Sequence, residues 1–573
     1  MTLKPARLQW SDEGSLRSLD YGDIFFQPGL GPEESRHVFL EKNRLPARFS
    51  APPENRFRIA ELGFGTGLNF LLTAALWSKT APKSAQLTYV SIEKHPLQVA
   101  DLRQVYKAWP ELKAHAAPLL AQYPPLIAGF HTLFFLHERI RLLLLFGDVA
   151  DVLPQLTGRF DAWYLDGFSP AKNPAMWEEK VLSLIAARTE KEGTLSTFSS
   201  AGAVRRGLQS AGFTVEKTGG FGAKRDMTVA TLLTPPPPSC QKKKNVAVLG
   251  AGIAGASVAF ALAQKGFDVT VIDRQQQAAA ETSGNPLGVV YPRLTIDPSP
   301  HGAFYQHGFC FTRTLAAALH LPSWNPCSVV HLDINDEETR RHRILGAQGY
   351  PADYLHYKSG LHQSLAGCLS PPEFCRMLLD HPKITTCYAT PVAALDALDA
   401  YDAVVVALGS GCKTFLPTAQ LPLQSLRGQI TYLKATPLSE KITQVFCYDG
   451  FIAPAIDGLH TIGATFQREE PATPDLRDAD QRDNLQKLDQ NFPGLGFAPS
   501  DIAGGRAGYR ITTPDKLPVI GADSDRVYIS TAFGAHGLTA APLAGEIIAC
   551  LMSGDPLPVP QNLMKYLVPK RFS

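Results

Sequence analysis

The chain has 573 residues, of which 45% are hydrophobic and 19% are charged. This length favours several domains over one, and the composition excludes collagen-like, coiled-coil and mainly disordered proteins. The net charge of +2 neither indicates nor excludes a nucleic-acid partner, so any RNA contact would need a local basic patch.

Cysteine spacing and the amino terminus both bear on the compartment. The nine cysteines contain no Cys-x-x-Cys pair and no zinc-ligand spacing, so reduced thiols are expected. The amino-terminal residues lack the apolar run of a signal peptide, and the apolar stretch 246–263 is interrupted by glycines. We therefore expect a cytoplasmic protein with no membrane span and no metal site. The expected oligomeric state is a monomer.

A proline- and lysine-rich segment, TPPPPSCQKKKN, divides the chain at 234–245. Its prolines stiffen the backbone and no apolar periodicity continues through it. The expected organisation is one domain at 1–234, a linker at 235–244 and a second domain at 245–573. On each side a strand leads into a glycine-rich turn and a helix, which predicts two α/β domains of nucleotide-binding type.

In the first half, RFRIAELGFGTGLNF predicts a strand over 58–61, a loop over 63–67 and a helix from Leu68. Three later strands each end in an acid: Glu93, Asp148 and Asp166. This alternation predicts a mostly parallel sheet covered by helices. Ligands of such sheets lie at the carboxyl ends of the strands, so we expect the acids to share one crevice.

The first glycine loop indicates S-adenosylmethionine. No Gly-Lys-Ser/Thr follows it, so a triphosphate is not expected, whereas Glu93 can accept hydrogen bonds from ribose hydroxyls. Glu61 could meet the ligand's ammonium group, and a glycine turn without a ligand is the alternative. The expected cofactor-binding residues are Glu61, Gly63, Phe64, Gly65, Thr66, Gly67, Asn69, Glu93, Asp148 and Asp166.

Asp166 is also the predicted catalytic residue of the first half. An uncharged amine must attack the methyl group of a sulfonium, and a neighbouring carboxylate can orient that amine and take its proton. A single acid at the end of a strand is more often a cap or a turn former, which is the structural alternative.

The second half opens with a strand, a Gly-x-Gly-x-x-Gly turn, a helix and a second strand ending at Asp273. In this register the motif predicts a dinucleotide with its pyrophosphate at the helix N-terminus. The distant turn FGAHGLT, before another helix, favours FAD over a nicotinamide because it offers a second contact, at the flavin ring. The segments 291–402 and 427–521 predict an antiparallel substrate-binding layer.

The expected FAD-binding residues come from these turns and from the segment ETSGNPLG. They are Gly250, Ala251, Gly252, Ile253, Ala254, Gly255, Asp273, Arg274, Ser283, Gly284, Asn285, Gly534, His536, Gly537, Leu538 and Thr539. An amine-oxidising site also needs a cation for the substrate carboxylate, and Arg510 is preferred to Arg506 for this role. His536 is expected to be a partner of the flavin ring and not a base.

Together these motifs resemble one family, the bifunctional tRNA 5-methylaminomethyl-2-thiouridine biosynthesis proteins (MnmC). The first half is similar to its methyltransferase domain through YGDIFFQPGLGPEESRHVFLEKNRLPARF, ELGFGTGLNF, LDGFSPAKNPAMW and GFGAKRDM. The second half is similar to FAD enzymes of the glycine-oxidase and D-amino-acid-oxidase type through VLGAGIAGA, SGNPLGVVYPR, RGQIT, YRITTPDKLPVIG and FGAHGLT. The resemblance covers essentially the whole chain.

The resemblance implies two reactions on the wobble uridine (U34) of certain tRNAs. The FAD domain would remove a carboxymethyl group from 5-carboxymethylaminomethyl-(2-thio)uridine, and the other domain would methylate the resulting amine. Three sets of positions match the family's sites: Gly63, Gly65, Gly67 and Glu93 for S-adenosylmethionine, Asp166 for the acceptor, and Gly250, Gly252, Gly255 and Asp273 for FAD. Asp273 departs from the glutamate usual in FAD proteins.

Contacts to the tRNA anticodon loop are expected from basic pairs and exposed aromatic side chains. The candidates are Arg205, Arg206, Lys224, Arg225, Lys242, Lys243 and Lys244, with Trp177 and Phe221 for stacking. Solvated faces and core packing are the alternatives for these residues. Two other functions stay open: an N-alkylglycine oxidase fused to a small-amine methyltransferase acting on free metabolites, and a tRNA-binding scaffold with inactive sites.

Overall fold

The computed structural model describes residues 3–11, 15–27, 29–137, 139–222, 224–233, 244–415 and 421–572. The chain forms two compact units, Met1–Gln241 with Gly554–Asn562, and Lys242–Ser553 with Leu563–Ser573. Of the expected linker at 235–244, all but Lys244 lies outside the described residues, as do the predicted tRNA contacts Lys242 and Lys243.

The first unit is built on an eight-stranded sheet. Its strands, from one edge to the other, are Thr214–Gly219, Asp226–Thr231, Thr189–Thr197, Phe160–Leu165, Arg56–Leu62, Gln86–Glu93, Ile140–Phe146 and Gly129–Phe135. The five central strands are parallel, and the pairings nearer the two edges are antiparallel. Arg56–Leu62 lies in the middle and is followed in the chain by strands on both of its sides. The glycine loop after it therefore lies where the strand order reverses, which is where such sheets bind ligands.

Both faces of this sheet are covered, which explains the continuous apolar runs in its strands. Neighbouring residues alternate between the two cores: Ile59 and Leu142 pack on one face, Ala60 and Leu143 on the other. The covering helices are Gly31–Ser35, Arg36–Glu41, Leu45–Ser50, Leu68–Thr80, Val99–Val105, Lys113–Gln122, Val149–Val152, Glu179–Ala187 and Gly202–Ser210. A small antiparallel sheet of Leu8–Trp10, Leu16–Ser18 and Asp23–Ile24 completes the unit.

The carboxy-terminal segment Gly554–Asn562 is part of this first unit. The Arg58 side chain donates from Nε to Asp555 Oδ1 at 2.8 Å, and both side chains are less than 10% exposed. Leu557 N donates to Thr157 Oγ1 at 2.8 Å. The second unit is therefore not the single stretch 245–573 that was expected. The sequence could not predict this, because contacts between residues hundreds of positions apart leave no local trace in it.

The second unit contains a six-stranded sheet with strand order Ile384–Cys387, Asp268–Ile272, Asn245–Leu249, Ala403–Val406, Val527–Thr531 and Val519–Ala522. All neighbours are parallel except the last pair. The expectation that 291–402 and 427–521 belong wholly to the antiparallel layer is wrong at two places, because Ile384–Cys387 and Val519–Ala522 extend this sheet. Their short apolar runs carry no sign of which sheet they join.

The second, nine-stranded sheet of this unit is mostly antiparallel, as expected. Its strands are His356–Tyr357, Leu361–Gln363, Val329–His331, Val445–Tyr448, Gly450–Ile452, Leu459–Gly463, Gln424–Lys434 and Gln467–Arg468, with Ile502–Thr512 also paired to Gln424–Lys434. Gly288–Val290 and Gly367–Leu369 form a separate pair. The helices are Ile253–Gln264, Pro300–Ala318, Asp336–Gly346, Pro371–Leu379, Cys412–Phe415, Asp478–Asn491 and Gly537–Ser553.

Among the described residues one helix, Gly534–Ser553, is long and apolar enough to cross a membrane by length and composition. Within its apolar window 67% of the residues are buried inside the fold, as in a core helix of a soluble protein, which passes the same test. Across all the residues that the structure describes, no cluster of three or more His, Cys, Asp or Glu side chains is arranged to hold a metal ion.

Candidate active sites

The first cavity, of about 420 Å³, opens at the carboxyl ends of the central parallel strands in the first unit. Gly63 lies directly after the strand Arg56–Leu62 with φ of +90°, and a Cβ there would lie 2.3 Å from the carbonyl oxygen of Asp166. Only glycine allows this close approach of two neighbouring strand ends. The helix Leu68–Thr80 then begins beside the cavity.

Two of the predicted acids are held by backbone N–H groups at the cavity wall. Glu93 accepts hydrogen bonds from Gly65 N at 2.9 Å and from His95 N at 2.8 Å. Asp148 caps the helix Val149–Val152 through Ala150 N and pairs with Lys94 Nζ at 2.8 Å. Burial opposes ionisation, but the hydrogen bonds from Lys94 and Ala150 N, together with the charge of Lys94, outweigh it and lower the pKa of Asp148 below its usual value. Both carboxylates are therefore fixed in position.

Asp166 and Glu61 are linked through one amide. Asn69 Nδ2 donates to Asp166 Oδ2 at 2.6 Å and to Glu61 Oε1 at 2.9 Å, and Ser91 Oγ donates to Glu61 Oε2 at 2.7 Å. Burial raises the pKa of Asp166 to about 7. Burial, with the nearby charge of Asp166, raises the pKa of Glu61 to about 8. A carboxyl group with a pKa near neutrality suits proton transfer at physiological pH.

Most of the residues expected at this site line the cavity: Gly63, Phe64, Gly65, Thr66, Asn69, Glu93, Asp148 and Asp166. Glu61 and Gly67 do not. The expectation that Glu61 meets an ammonium group of the ligand needs correction, because the residue is only 1% exposed and its carboxylate is hydrogen-bonded behind the wall. Gly67 precedes the helix and has φ of +73°, so it forms the turn.

Sequence reasoning missed several residues that line this cavity. Tyr21 and Phe25 pack against Phe168, with ring centroids 4.7 and 5.4 Å away. Lys224, predicted as a tRNA contact and not as a residue of this site, also lines the cavity: its Nζ pairs with Glu34 Oε1 at 2.9 Å and lies 4.2 Å from the ring centroid of Phe198. Tyr21, Phe25 and Lys224 lie in the segments YGDIFF and GFGAKRDM, so these two segments were the sequence signal that could have placed them at the site.

The predicted tRNA contacts of the first unit have different positions. Lys224 lines the cavity, and Arg206 and Arg225 are exposed. Trp177 is half-buried, donates from Nε1 to Phe168 O at 3.3 Å and packs against the core. Phe221 is half-buried with its ring 5.8 Å from that of His37. Trp177 thus has the packing that was its structural alternative.

The second cavity, of about 480 Å³, lies at the corresponding edge of the six-stranded sheet. Asp273 accepts hydrogen bonds from Ala251 N at 2.6 Å and Gln275 N at 2.8 Å. These bonds fix the glycine turn next to the end of the strand Asp268–Ile272. A Cβ on Gly255 would lie 1.8 Å from Gly250 O, so this glycine lets the helix pack on the turn. A Cβ on Gly252 would have only Ser283 Oγ nearby, at 3.2 Å, so its bare backbone faces the cavity.

Nine of the residues expected to bind FAD line this cavity: Gly250, Gly252, Ile253, Ala254, Asp273, Arg274, Ser283, Gly534 and Gly537. The others, which lie outside the lining, are Ala251, Gly255, Gly284, Asn285, His536, Leu538 and Thr539. Ser283 Oγ accepts from Ile253 N at 3.0 Å, and Arg274 pairs with Glu281 at 2.5 Å. Residues missed by the sequence reasoning include Val392 and Phe415.

His536 lies among aromatic rings, within the turn FGAHGLT. Its ring centroid is 5.5 Å from that of Tyr291 and 5.1 Å from that of Tyr305. Burial, with the charge of Arg293, lowers the pKa of His536 to about 3, so the imidazole is neutral. A pKa this low makes the imidazole a weak proton acceptor.

The two arginines proposed for the substrate carboxylate have different environments. Arg510 lines the cavity and donates from Nη1 to Thr465 O at 3.4 Å, and no carboxylate among the described residues is paired with it. Burial lowers the pKa of Arg510 to about 10, which still leaves it charged. Arg506 instead donates from Nη2 to the carbonyl oxygens of Ala280 and Glu281. We correct the assignment of Arg506, because these bonds make it a support for the backbone turn.

Both cavities suit the expected cofactors. In the second, bare glycine backbone, a helix N-terminus and a strand-end acid fit a dinucleotide pyrophosphate and ribose. In the first, the glycine loop and Glu93, at the end of the strand Gln86–Glu93, fit an adenosyl group. The residues present would therefore hold FAD in the second unit and S-adenosylmethionine in the first.

Comparison with known proteins matches a different family to each half of the chain. A family of FAD dependent oxidoreductases matches residues 245–551, and a family of S-adenosyl-L-methionine-dependent methyltransferases matches residues 110–233. The fold class expected from the sequence is confirmed. A solved glycine oxidase from Geobacillus kaustophilus is 18% identical, covers 55% of this chain and 96% of its own, and has a TM-score of 0.48.

Curated relatives match along the whole chain. The tRNA 5-methylaminomethyl-2-thiouridine biosynthesis bifunctional protein MnmC of Methylobacillus flagellatus is 36% identical over 99% of this chain and 96% of its own length. The protein of the same name from Hahella chejuensis is 38% identical over 99% of this chain and 98% of its own length. The chain therefore belongs to the MnmC family, and it unites an S-adenosylmethionine-dependent methyltransferase with an FAD-dependent oxidoreductase.

Proposed function

We propose that this protein is a bifunctional tRNA-modification enzyme that acts twice on one wobble uridine. The FAD unit oxidises the carboxymethylaminomethyl group, an N-substituted glycine, to an imine, whose hydrolysis releases glyoxylate and leaves an aminomethyl base. The other unit methylates that amine. The first product is the nucleophile that the second reaction requires, which gives a reason for joining the two activities.

For the oxidation, the residues of the chain bind and orient the substrate. FAD, when bound, supplies the two-electron oxidant. Arg510 would hold the substrate carboxylate, because it is a half-buried cation at the cavity wall and no carboxylate of the described chain is paired with it. A fixed carboxylate places the adjacent C–H bond reproducibly. His536 stays neutral, so it adds no charge next to the reacting amine.

For the methylation, Asp166 would orient the amine and accept its proton. S-adenosylmethionine, when bound, supplies the methyl group. The carboxyl group of Asp166 has a pKa of about 7 because it is buried, so near neutral pH it is available as a proton acceptor. Asn69 fixes one of its oxygens at 2.6 Å, and the other can face the amine. The amine loses a proton only as its new C–N bond forms, which suits a base of this strength.

The observation that carries the proposal is the pairing of the two cavities on one chain. One is lined by the half-buried guanidinium of Arg510, which suits a carboxylate, and the other by the carboxyl group of Asp166, which Asn69 orients and which can take a proton from an amine. An N-substituted glycine and the amine left after its oxidation are the two substrates with matching chemistry. Membership of the MnmC family indicates that these groups are attached to tRNA.

The direct test is nucleoside mass spectrometry of tRNA carrying 5-carboxymethylaminomethyluridine after incubation with the flavin-loaded protein. We expect aminomethyluridine without S-adenosylmethionine and methylaminomethyluridine with it. An unchanged nucleoside, together with turnover of free sarcosine, would instead favour the oxidase that acts on free metabolites. Protein that binds neither cofactor would support the inactive scaffold.

Three further properties belong to this proposal. The anticodon loop of the tRNA would present its wobble base to each cavity in an unstacked form, as enzymes acting on bases require. We propose a monomer, which light scattering coupled to size-exclusion chromatography would test. A cytoplasmic location is proposed because the tRNA substrate is found there, and fractionation of cells expressing the tagged protein would test it.

A further inference from the structure

An exposed aromatic side chain lies beside the cavity of the oxidoreductase unit. Phe466 follows the strand Leu459–Gly463 and directly precedes Gln467–Arg468 in the antiparallel sheet. It is 59% exposed, among the most exposed of the large apolar side chains in the described chain. One exposed apolar residue is ordinary, so its meaning depends on what it contacts.

Phe466 contacts the guanidinium proposed to hold the substrate carboxylate. Arg510 Cζ lies 4.5 Å from the centroid of the Phe466 ring, which is a cation–π distance. Arg510 also reaches the carbonyl of Thr465, the residue before Phe466, at 3.4 Å. Gly428 leaves room for the guanidinium, since a Cβ there would lie 2.1 Å from Arg510 Nη1. These contacts hold the guanidinium against the ring.

The chemistry of the substrate makes this position informative. In the proposed substrate a short methylene–amine–methylene chain joins the carboxylate to a uracil ring. Once the carboxylate is bound by Arg510, the uracil must lie a short distance away, beside whatever surface surrounds the arginine. Proteins commonly bind unstacked RNA bases by stacking them on aromatic side chains. A ring that faces Arg510 and is also open to solvent meets both requirements.

We propose that Phe466 is a specificity-determining residue that stacks on the wobble uracil while Arg510 holds the carboxylate. The inference rests on the proposed function and adds the means by which the oxidase distinguishes a base-linked N-substituted glycine from a free one. A free N-alkylglycine satisfies Arg510 and brings no base to stack on Phe466. The modified nucleotide engages both residues.

The test compares Phe466→Ala, Phe466→Leu and Phe466→Trp in the flavin-loaded, full-length protein. One measurement is kcat/KM for oxidation of tRNA carrying 5-carboxymethylaminomethyluridine. The other is the dissociation constant of glycolate, a carboxylate without a base, from the change in flavin absorbance. Leu476→Ala is the matched control, because Leu476 is also exposed, at 52%, in the same unit.

We expect Phe466→Ala and Phe466→Leu to lower kcat/KM for the tRNA by roughly tenfold or more, as loss of base stacking does. Phe466→Trp and Leu476→Ala should stay near the wild-type value, and glycolate affinity should be unchanged in every variant. Full activity of Phe466→Leu would overturn the inference, because apolar bulk would then suffice. An equal loss of glycolate affinity would overturn it too, since Phe466 would then act by holding Arg510. Wild-type protein that leaves the tRNA unmodified contradicts the proposed function itself, before any variant is compared.

Discussion

Glu61 and Asp166, at the ends of neighbouring parallel strands, accept hydrogen bonds from the same nitrogen, Nδ2 of Asn69. One carboxyl group lies at the cavity wall and the other lies behind it. The amide fixes the distance between them and orients the exposed one. Both have a pKa raised mainly by burial, so their protonation is sensitive to pH near neutrality.

Asp166→Asn should abolish methylation and spare oxidation. The amide keeps the shape of the carboxyl group but cannot accept the proton of the amine, and loss of a general base typically costs about 10²- to 10⁴-fold. The measurement is single-turnover methylation of tRNA carrying aminomethyluridine. Calorimetry should show that S-adenosylmethionine still binds, and retention of more than a tenth of the wild-type rate would contradict a base role.

Methylation should slow as the pH falls below about 7. Burial raises the pKa of Asp166 to about 7, and a base is active only when deprotonated, so kcat/KM should decline on the acid side of that value. The charged groups around Asp166 are Lys224 and Glu34 on the cavity wall and Glu61 behind it.

The charge of Lys224 lowers the pKa of Asp166, against the effect of burial. Lys224→Met should therefore move the acid limb of the methylation profile to higher pH, whereas Lys224→Arg should leave it in place. The pH dependence of kcat/KM for aminomethyl-tRNA checks this. Equal profiles for the two variants would show that the charge of Lys224 does not act on Asp166.

Gly252→Glu should remove FAD and leave methylation intact. The backbone of Gly252 faces the cavity with φ of −75°, and a Cβ there would meet only the Ser283 side chain, with Oγ at 3.2 Å, so a small shift of that side chain would make room. A glutamate would fill and charge the place of the pyrophosphate. Flavin absorbance should fall to background, while Gly252→Ala should keep some flavin.

Gly255→Ala provides the contrasting case for this turn. Its Cβ would overlap Gly250 O, at 1.8 Å, so the helix would have to move away from the turn. We expect a lowered melting temperature for this variant and an almost unchanged one for Gly252→Glu, both compared with wild-type protein stripped of flavin. The reverse order of melting temperatures would contradict the packing role assigned to Gly255.

Arg510 and Arg506 should respond differently to substitution by methionine. Arg510→Met should raise KM for the modified tRNA by roughly tenfold or more, since a charge-assisted hydrogen bond contributes about 1.5–3 kcal/mol, with flavin content unchanged. Arg506→Met should mainly weaken FAD binding, because Arg506 supports the carbonyls of Ala280 and Glu281 beside the cavity. Flavin fluorescence on dilution measures the second effect, and matching phenotypes would contradict the separation.

Local sequence patterns were sufficient to predict the site residues that lie at the end of a strand or just after it. Glu93, Asp148, Asp166 and Asp273 could be placed because apolar runs mark the strands and the acids come at their ends. Glu61 also follows this pattern, yet its position behind the wall depends on Asn69 and Ser91, which approach it from a helix and a neighbouring strand. Periodicity carries no information about such contacts.

The remaining residues depend on contacts between distant segments. Lys224 meets Glu34 across 190 positions, and Arg506 meets Ala280 across 226. Each is an ordinary charged residue in its local sequence, so the sequence alone does not show that it meets a partner far away in the chain. The strand Ile384–Cys387 joins the sheet of the glycine turn for a similar reason, since its partner Asp268–Ile272 lies far away in the chain.

The return of Gly554–Asn562 to the first unit has a consequence for gene organisation. A gene cut within the proline-rich segment would encode a methyltransferase fragment without Asp555, which accepts from the buried Arg58 at 2.8 Å. That fragment would also lack Leu557, the donor to Thr157. Splitting this chain into two independently expressed enzymes therefore requires the nine-residue segment to be supplied again, by fusion to the end of the shorter product or as a separate peptide.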